Sequence, residues 1–186
     1  MNFIVENYTD HHNKIRKKYI CPSHGGLNVS PALSWKDVEE AQSYAMVMED
    51  PDAPNGPYIH WYIPFISPNI NSIHSLHSLP HNIQNIQQNI LLFNTKLHKK
   101  KKLFQGYNHT GGYGYYGPCC PSKKKSHHYI FTLFSLDKKL TLNKENLTIS
   151  STDDFVHRIE NEGIHIIRRE SISFIYKLNN YNNSEL

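Results

Sequence analysis

Apolar positions along the chain gather into short extended runs rather than long helical stripes. Tyr44 to Met48 is a short apolar run that ends at an Asp50-Pro51 turn. His60 to Ile66 is aromatic and β-branched, and Tyr129 to Leu136 mixes aromatic, Ile, Leu and Thr side chains. These lengths and compositions predict buried strands. Pro64 interrupts the second run and predicts a bulge or an edge there. Ser171 to Leu178 predicts a last strand. Before it, Phe155, Val156 and Ile159 recur at helical spacing, with Thr152 or Asp153 as the cap and Gly163 as the stop. The pattern predicts a mainly β fold with one or a few short helices.

Between the second and third runs the pattern changes. Ser67 to Gln105 is rich in Asn, Gln, His and Ser and closes on His98 to Lys102, His followed by four Lys. Such a stretch buries too little apolar surface to offset its ordering entropy, which predicts a long surface insertion. Inside it Ile83, Ile86, Ile90 and Leu91 fall near helical spacing and predict an amphipathic helical piece. Then Gly106 to Gly117 holds five of the chain's nine glycines. That density predicts an irregular loop that brings backbone close to other backbone or to a ligand. A Walker loop is excluded, because no Gly-Lys-Ser/Thr ending follows.

Composition adds bounds. At 186 residues and 38% hydrophobic content, the chain suits one domain, 1–186, with a sizeable core. A net charge of +4 makes the surface mildly basic, favouring anionic partners without calling for nucleic acid. Lys99 to Lys102 and Lys123 to Lys125 read as solvated runs. The first residues are charged where a secretory leader is apolar, and no later run is long enough to span a bilayer, so the expectation is a soluble, cytoplasmic monomer. Cys21, Cys119 and Cys120 form an odd set without zinc-type spacing, which favours reduced thiols over a disulfide.

The candidate chemistry sits in two segments, Met48 to Ile66 and Gly114 to Asp137. Each sets polar groups beside a strand at a Pro-rich turn: Asp50, Asp52 and His60 in the first, His127 and Tyr129 in the second. Singly, each has an ordinary structural role, the aspartates as turn caps and Tyr129 and Tyr176 as half-buried strand residues with a wet hydroxyl. The expectation is that the five polar groups of the two segments together line one small pocket. Imidazole and phenol donors suit the acceptor oxygens of a phosphate, and a carboxylate beside an imidazole favours its doubly donating form or accepts from an ammonium group.

Read as one set, the segments resemble the phosphatidylethanolamine-binding protein family, which includes the Raf kinase inhibitor proteins and their bacterial relatives. The resemblance is carried by DPDAP with a following His60-Trp61, by Gly117-Pro118 with Pro121, and by His127-His128-Tyr129 running into an apolar strand. Lys18 to Trp35 and Gly163 to Leu178 fit the family's two flanks. Cys120 stands where the family has the first of two adjacent prolines, and His128 where it has Arg. The resemblance implies two packed antiparallel sheets in a Greek-key-like sandwich. It also implies a ligand site of Asp50, Asp52, His60, Pro121, His127, Tyr129 and Tyr176, with no catalytic cofactor and no metal. Some bacterial relatives carry cysteines matching Cys21 and Cys119, which keeps a disulfide open. The implied function is non-catalytic binding of a phosphate-bearing ligand, such as a phospholipid head group with peripheral membrane contact or a phosphorylated residue, in regulation of a kinase. Two other readings stand beside it. One is an interaction protein acting through the Lys-rich insertion with a vestigial pocket. The other is a metal- or thiol-dependent hydrolase, which lacks HExxH and GxSxG motifs here.

Overall fold

The computed structural model describes residues 1–75, 90–94, 100–121, 125–141 and 147–178. In chain order these give β1 (Ile4–Glu6), β2 (Ala32–Ser34), β3 (Ser43–Asp50), β4 (Tyr58–Ile66), β5 (Ser72–Ile73), β6 (Ile90–Asn94), β7 (Lys100–Phe104), β8 (Ser126–Leu136), helix α1 (Thr152–Asn161) and β9 (Ile166–Lys177). They build two antiparallel sheets, a small one ordered β1-β2-β5 and a large one ordered β6-β7-β4-β3-β8-β9. The mainly β sandwich with a helix near the C-terminus is the fold the sequence predicts.

Strand periodicity explains why the apolar runs are unbroken. Tyr44, Met46 and Met48 of β3 point to one side with Trp61 and Ile63 of β4 and Phe131 and Leu133 of β8, and pack against Val5, Leu33 and Ile73 of the small sheet. Ala45 and Val47 point to the other side with Tyr62 and Phe134, where Phe155 and Ile159 of α1 cover them. Both faces of the central strands are therefore dry. Each large side chain so buried contributes roughly 1.5–3 kcal/mol.

Two bulges adjust β4. Tyr44 pairs with Ile66 but Met46 with Ile63, so Pro64 and Phe65 together oppose Ala45, as a proline within a paired strand requires. Met48 pairs with Trp61 but Glu49 with Ile59, which puts the second bulge at His60. The extra residue sends Ile59 and Trp61 to opposite cores although they are two apart.

The helix cap is Ser151, one residue before Thr152 and two before Asp153, the predicted caps. Its hydroxyl accepts from the Asp154 N–H at 3.0 Å, while the Thr152 N–H donates to the Glu49 carboxylate. Gly163, with φ of 68°, supplies the left-handed stop. The last strand begins at Ile166, five residues before the predicted Ser171, because Arg168, Arg169 and Glu170 pair with Ser135, Phe134 and Leu133 of β8. Their charges hide a strand from an apolar pattern.

The polar stretch from Ser67 is corrected at both ends. Ile70 and Ile73 are buried, and β5 joins the small sheet, so the stretch starts inside the core. Ile90 and Leu91 lie on β6, paired with β7, not on a helix. Ile83 and Ile86 fall outside the described residues. At its other end Gln105 is buried and accepts from the Trp61 indole N–H at 2.6 Å.

Candidate functional site

Asp50 ends β3 in the same phase as Met46 and Met48, where the strand leaves the core. Its neighbour Glu49 pairs with Ile130, which puts Asp50 diagonal to His127 at the start of β8. The His127 Nδ1–H donates to Asp50 Oδ2 at 2.7 Å, and both side chains are only 4% exposed. The other oxygen, Oδ1, accepts from the Asp52 N–H at 2.9 Å and closes the Pro51 turn. One carboxylate thus caps the turn and orients the imidazole.

His60 reaches the same place from its bulge. Its Nδ1 lies 2.8 Å from the Tyr116 carbonyl, which fixes Nδ1 as the protonated nitrogen of the neutral ring. The Tyr116 N–H in turn donates to the His60 carbonyl at 2.7 Å. Burial pushes the His60 pKa down from 6.5 to about 4, only partly offset by the Tyr116 carbonyl and the Asp50 charge. The ring is therefore neutral near pH 7.

Asp50, His60, Pro121 and His127 all line one cleft of about 700 Å³. Its size suits a small molecule with several heavy atoms. Among the described residues, no Lys or Arg lines it. The remaining predicted residues lie elsewhere. Tyr129 is wholly buried behind the wall, where its hydroxyl accepts from the Cys119 N–H at 3.1 Å and its ring meets His60 edge-on at 5.0 Å. Burial pushes its phenol pKa far up, so the hydroxyl stays neutral. Tyr176 is buried with its hydroxyl 2.9 Å from His24 Nδ1 and does not line the cleft. Asp52 points outward; its Oδ2 accepts from the His128 N–H and lies 2.7 Å from His128 Nδ1. It lines a separate shallow depression with Lys125, Ser126 and His127.

The cysteines need a correction. Cys21 and Cys119 form a disulfide, with Cα atoms 5.5 Å apart, and only Cys120 keeps a thiol. The reason lies in backbone approach that composition does not reveal. The Cys21 N–H donates to the Pro118 carbonyl at 3.2 Å, and a Cβ on Gly117 would stand 2.2 Å from the Tyr19 carbonyl oxygen. Only glycine lets the two loops meet, and the meeting sets Cys119 against Cys21.

The opposite wall was not foreseen residue by residue. Tyr58, His109 and Tyr116 line it, together with Ser150 and Ser151 from the start of α1. His109 is pinned at both nitrogens, accepting the Ile59 N–H at Nδ1 over 3.2 Å and donating from Nε2 to the Ile149 carbonyl over 3.0 Å. The glycine density of Gly106 to Gly117 was the available signal, since His109 and Tyr116 lie within that loop. Nothing in the sequence brings Ser150 to it, 34 positions after Tyr116.

The fold is a β-sandwich with a cleft at the ends of its central strands, walled by Pro and Tyr and lined by His60, His109 and His127. The phosphatidylethanolamine-binding protein model matches residues 6–169, and the chain belongs to that family. It is 33% identical over 169 residues to a UPF0098 protein of Chlamydia pneumoniae, covering 88% of this chain and 90% of that one. It is 35% identical over 143 residues to a UPF0098 protein of Methanothermobacter thermautotrophicus, covering 76% and 80%. Among solved structures it is similar in fold to Escherichia coli YbcL, described as a member of the mammalian family, with a TM-score of 0.68 at 23% identity over 96% of this chain and 98% of that one. The family homologue CT736 of Chlamydia trachomatis gives a TM-score of 0.65 at 24% identity, over 95% and 96%.

Proposed function

We propose that the cleft binds a phosphate-bearing anionic ligand without transforming it. The observation that supports this reading is the convergence of His60 and His127, from different strands, on one cleft whose walls are otherwise largely apolar. Asp50 accepts at His127 Nδ1, so a second proton on that ring resides on Nε2 and offers a charge-assisted donor. His60 commits its Nδ1 hydrogen to the Tyr116 carbonyl, so a neutral ring has only a lone pair left at Nε2. A phosphate oxygen there draws a proton onto the ring. Binding of a phosphodiester is therefore coupled to proton uptake at His60, whose pKa of about 4 in the free cleft is raised by the ligand's charge. An ethanolamine head group adds an ammonium that Asp50 attracts.

A phosphorylated residue on a kinase partner presents the same oxygens, and a kinase-regulating role rests on family membership. Calorimetric titration with glycerophosphoethanolamine, repeated in buffers of different ionisation enthalpy, tests the reading. Proton uptake, and affinity that falls as pH rises, are expected. Binding that is the same in wild type, His60→Ala and His127→Ala removes both histidines from the site.

A further inference from the structure

Cys21 precedes a single 3₁₀ turn, Pro22–His24, and its carbonyl accepts the His24 N–H at 3.1 Å. Side chains three apart lie over one another in such a turn, so Cys-Pro-Ser-His sets the Cys21 sulfur beside the His24 imidazole. Cys119 arrives from the cleft wall and completes a triangle: both Sγ atoms and a ring nitrogen of His24 lie within 4.8 Å of one another. The Tyr176 hydroxyl lies 2.9 Å from His24 Nδ1, and the two rings stack at 5.8 Å. That is the kind of outer partner that holds a metal-bound imidazole in orientation. The Ser23 hydroxyl lies 3.1 Å from one sulfur and 3.0 Å from the other.

We propose that reduction of the Cys21–Cys119 bond turns this cluster into a Cys2His site for zinc or another thiophilic divalent cation. A dithiol reductant delivers two electrons and two protons to the Sγ–Sγ bond, leaving two thiols on the protein and becoming a disulfide itself. The cation then displaces both thiol protons to solvent and accepts electron pairs from the two thiolates and from His24. Zinc–sulfur bonds of about 2.3 Å at tetrahedral angles hold the sulfurs about 3.8 Å apart, so disulfide and metal are mutually exclusive states of the same atoms. Three protein ligands leave a fourth position for water. Cys119 also lines the cleft, so the two states present different walls to whatever the cleft holds. The site does not depend on how the cleft binds anions, since Asp50, His60 and His127 take no part in it.

The test uses the whole chain, reduced with a dithiol, freed of reductant under nitrogen and titrated with cobalt(II). One equivalent should bind, seen as thiolate-to-cobalt charge transfer in the near ultraviolet with the intense visible bands of tetrahedral cobalt. The oxidised protein should show neither, and zinc should bleach both. His24→Ala keeps both thiols and should weaken cobalt binding by at least about tenfold. Cys120→Ser should leave it unchanged, since that sulfur faces the Lys125 carbonyl. Three results overturn the proposal: no thiolate band in the reduced wild type, equal affinity in His24→Ala, or a band lost in Cys120→Ser but kept in Cys119→Ser.

Discussion

Two aspartate–histidine pairs lie within a few residues of each other and look alike on paper. Asp50 meets His127 and Asp52 meets His128, each through Nδ1 at 2.7 Å. Burial separates them. The first pair is 4% exposed on both sides, the second 49% at His128 and 41% at Asp52. The alternation of β8 sends consecutive histidines to opposite faces, and the Pro51 turn does the same for the two aspartates. Equal geometry therefore carries unequal energy, because water screens the outer pair and is excluded from the inner one. The inner pair lines the cleft, and the outer one staples the turn to the start of β8.

The comparison breaks most visibly at Asp50. Asp50→Ala leaves a buried imidazole without its acceptor and opens the Pro51 turn, and should destabilise the fold by about 3–5 kcal/mol in urea denaturation. Asp52→Ala removes a pair of the same length and should cost under about 1 kcal/mol. Equal losses would mean that distance, not burial, sets the energy.

His60 sharpens the same contrast through pH. Its pKa is near 6.5 unfolded and about 4 folded, so between those values the unfolded chain binds more protons. Stability therefore falls as pH drops from 6.5 towards 4, by up to roughly 3 kcal/mol. His60→Gln should abolish that part of the slope in denaturation midpoints measured across the window. Asp52 works in a lower window. The His128 N–H and side chain hold its carboxyl below 3.8, so its contribution is present above that value and lost as pH falls through the depressed pKa.

Ligand affinity is a third way to separate the pairs. With a phosphodiester in the cleft, His127→Ala removes a charge-assisted donor and should weaken binding about tenfold or more. His128→Ala should change it less than about twofold, because that ring faces solvent. A larger effect at His128 would move the site to the shallow depression beside Asp52 and Lys125.

What was legible in the sequence follows the same division between strand and loop. Asp50 and His127 ride on strands whose period is regular, and His60 on a bulge of β4 beside them, so the motifs name three residues that do meet in one cleft. Tyr129 and Tyr176 share the sheet face of His127, Tyr129 two residues further along β8 and Tyr176 directly opposite on β9, yet both are buried among the residues of the core that includes Tyr8 and Phe131, behind the wall rather than on it. A motif names residues near a site without saying which of them reach the cleft and which stay in the core behind it. The loop wall was not legible because its approach depends on backbone: Gly117 against Tyr19, and the Tyr116 amide and carbonyl on His60. The disulfide belongs to that class, since it needs the Pro118 loop to meet Cys21 across 98 positions. A second sheet was expected, but its strands were not placed, for another reason. Its strands are two or three residues long, too short for any period to show.

The smallest predicted effect lies within the outer pair, where one oxygen of Asp52 serves two donors. Asp52→Asn keeps a carbonyl to accept the His128 N–H but gives up the charge, whereas Asp52→Ala gives up both. The charge component is screened over a Debye length of about 8 Å at physiological salt and nearly vanishes at about 1 M. The backbone bond is local and neutral at its donor, so salt should barely touch it. Asp52→Asn should thus cost a few tenths of a kcal/mol at low salt and nothing measurable at high salt, while Asp52→Ala keeps a residual loss of roughly 0.5–1 kcal/mol at both. Urea midpoints of the two variants at the two salt concentrations measure this. If the two variants converge at high salt, the backbone bond from His128 contributes nothing, and the outer pair is only a surface charge contact.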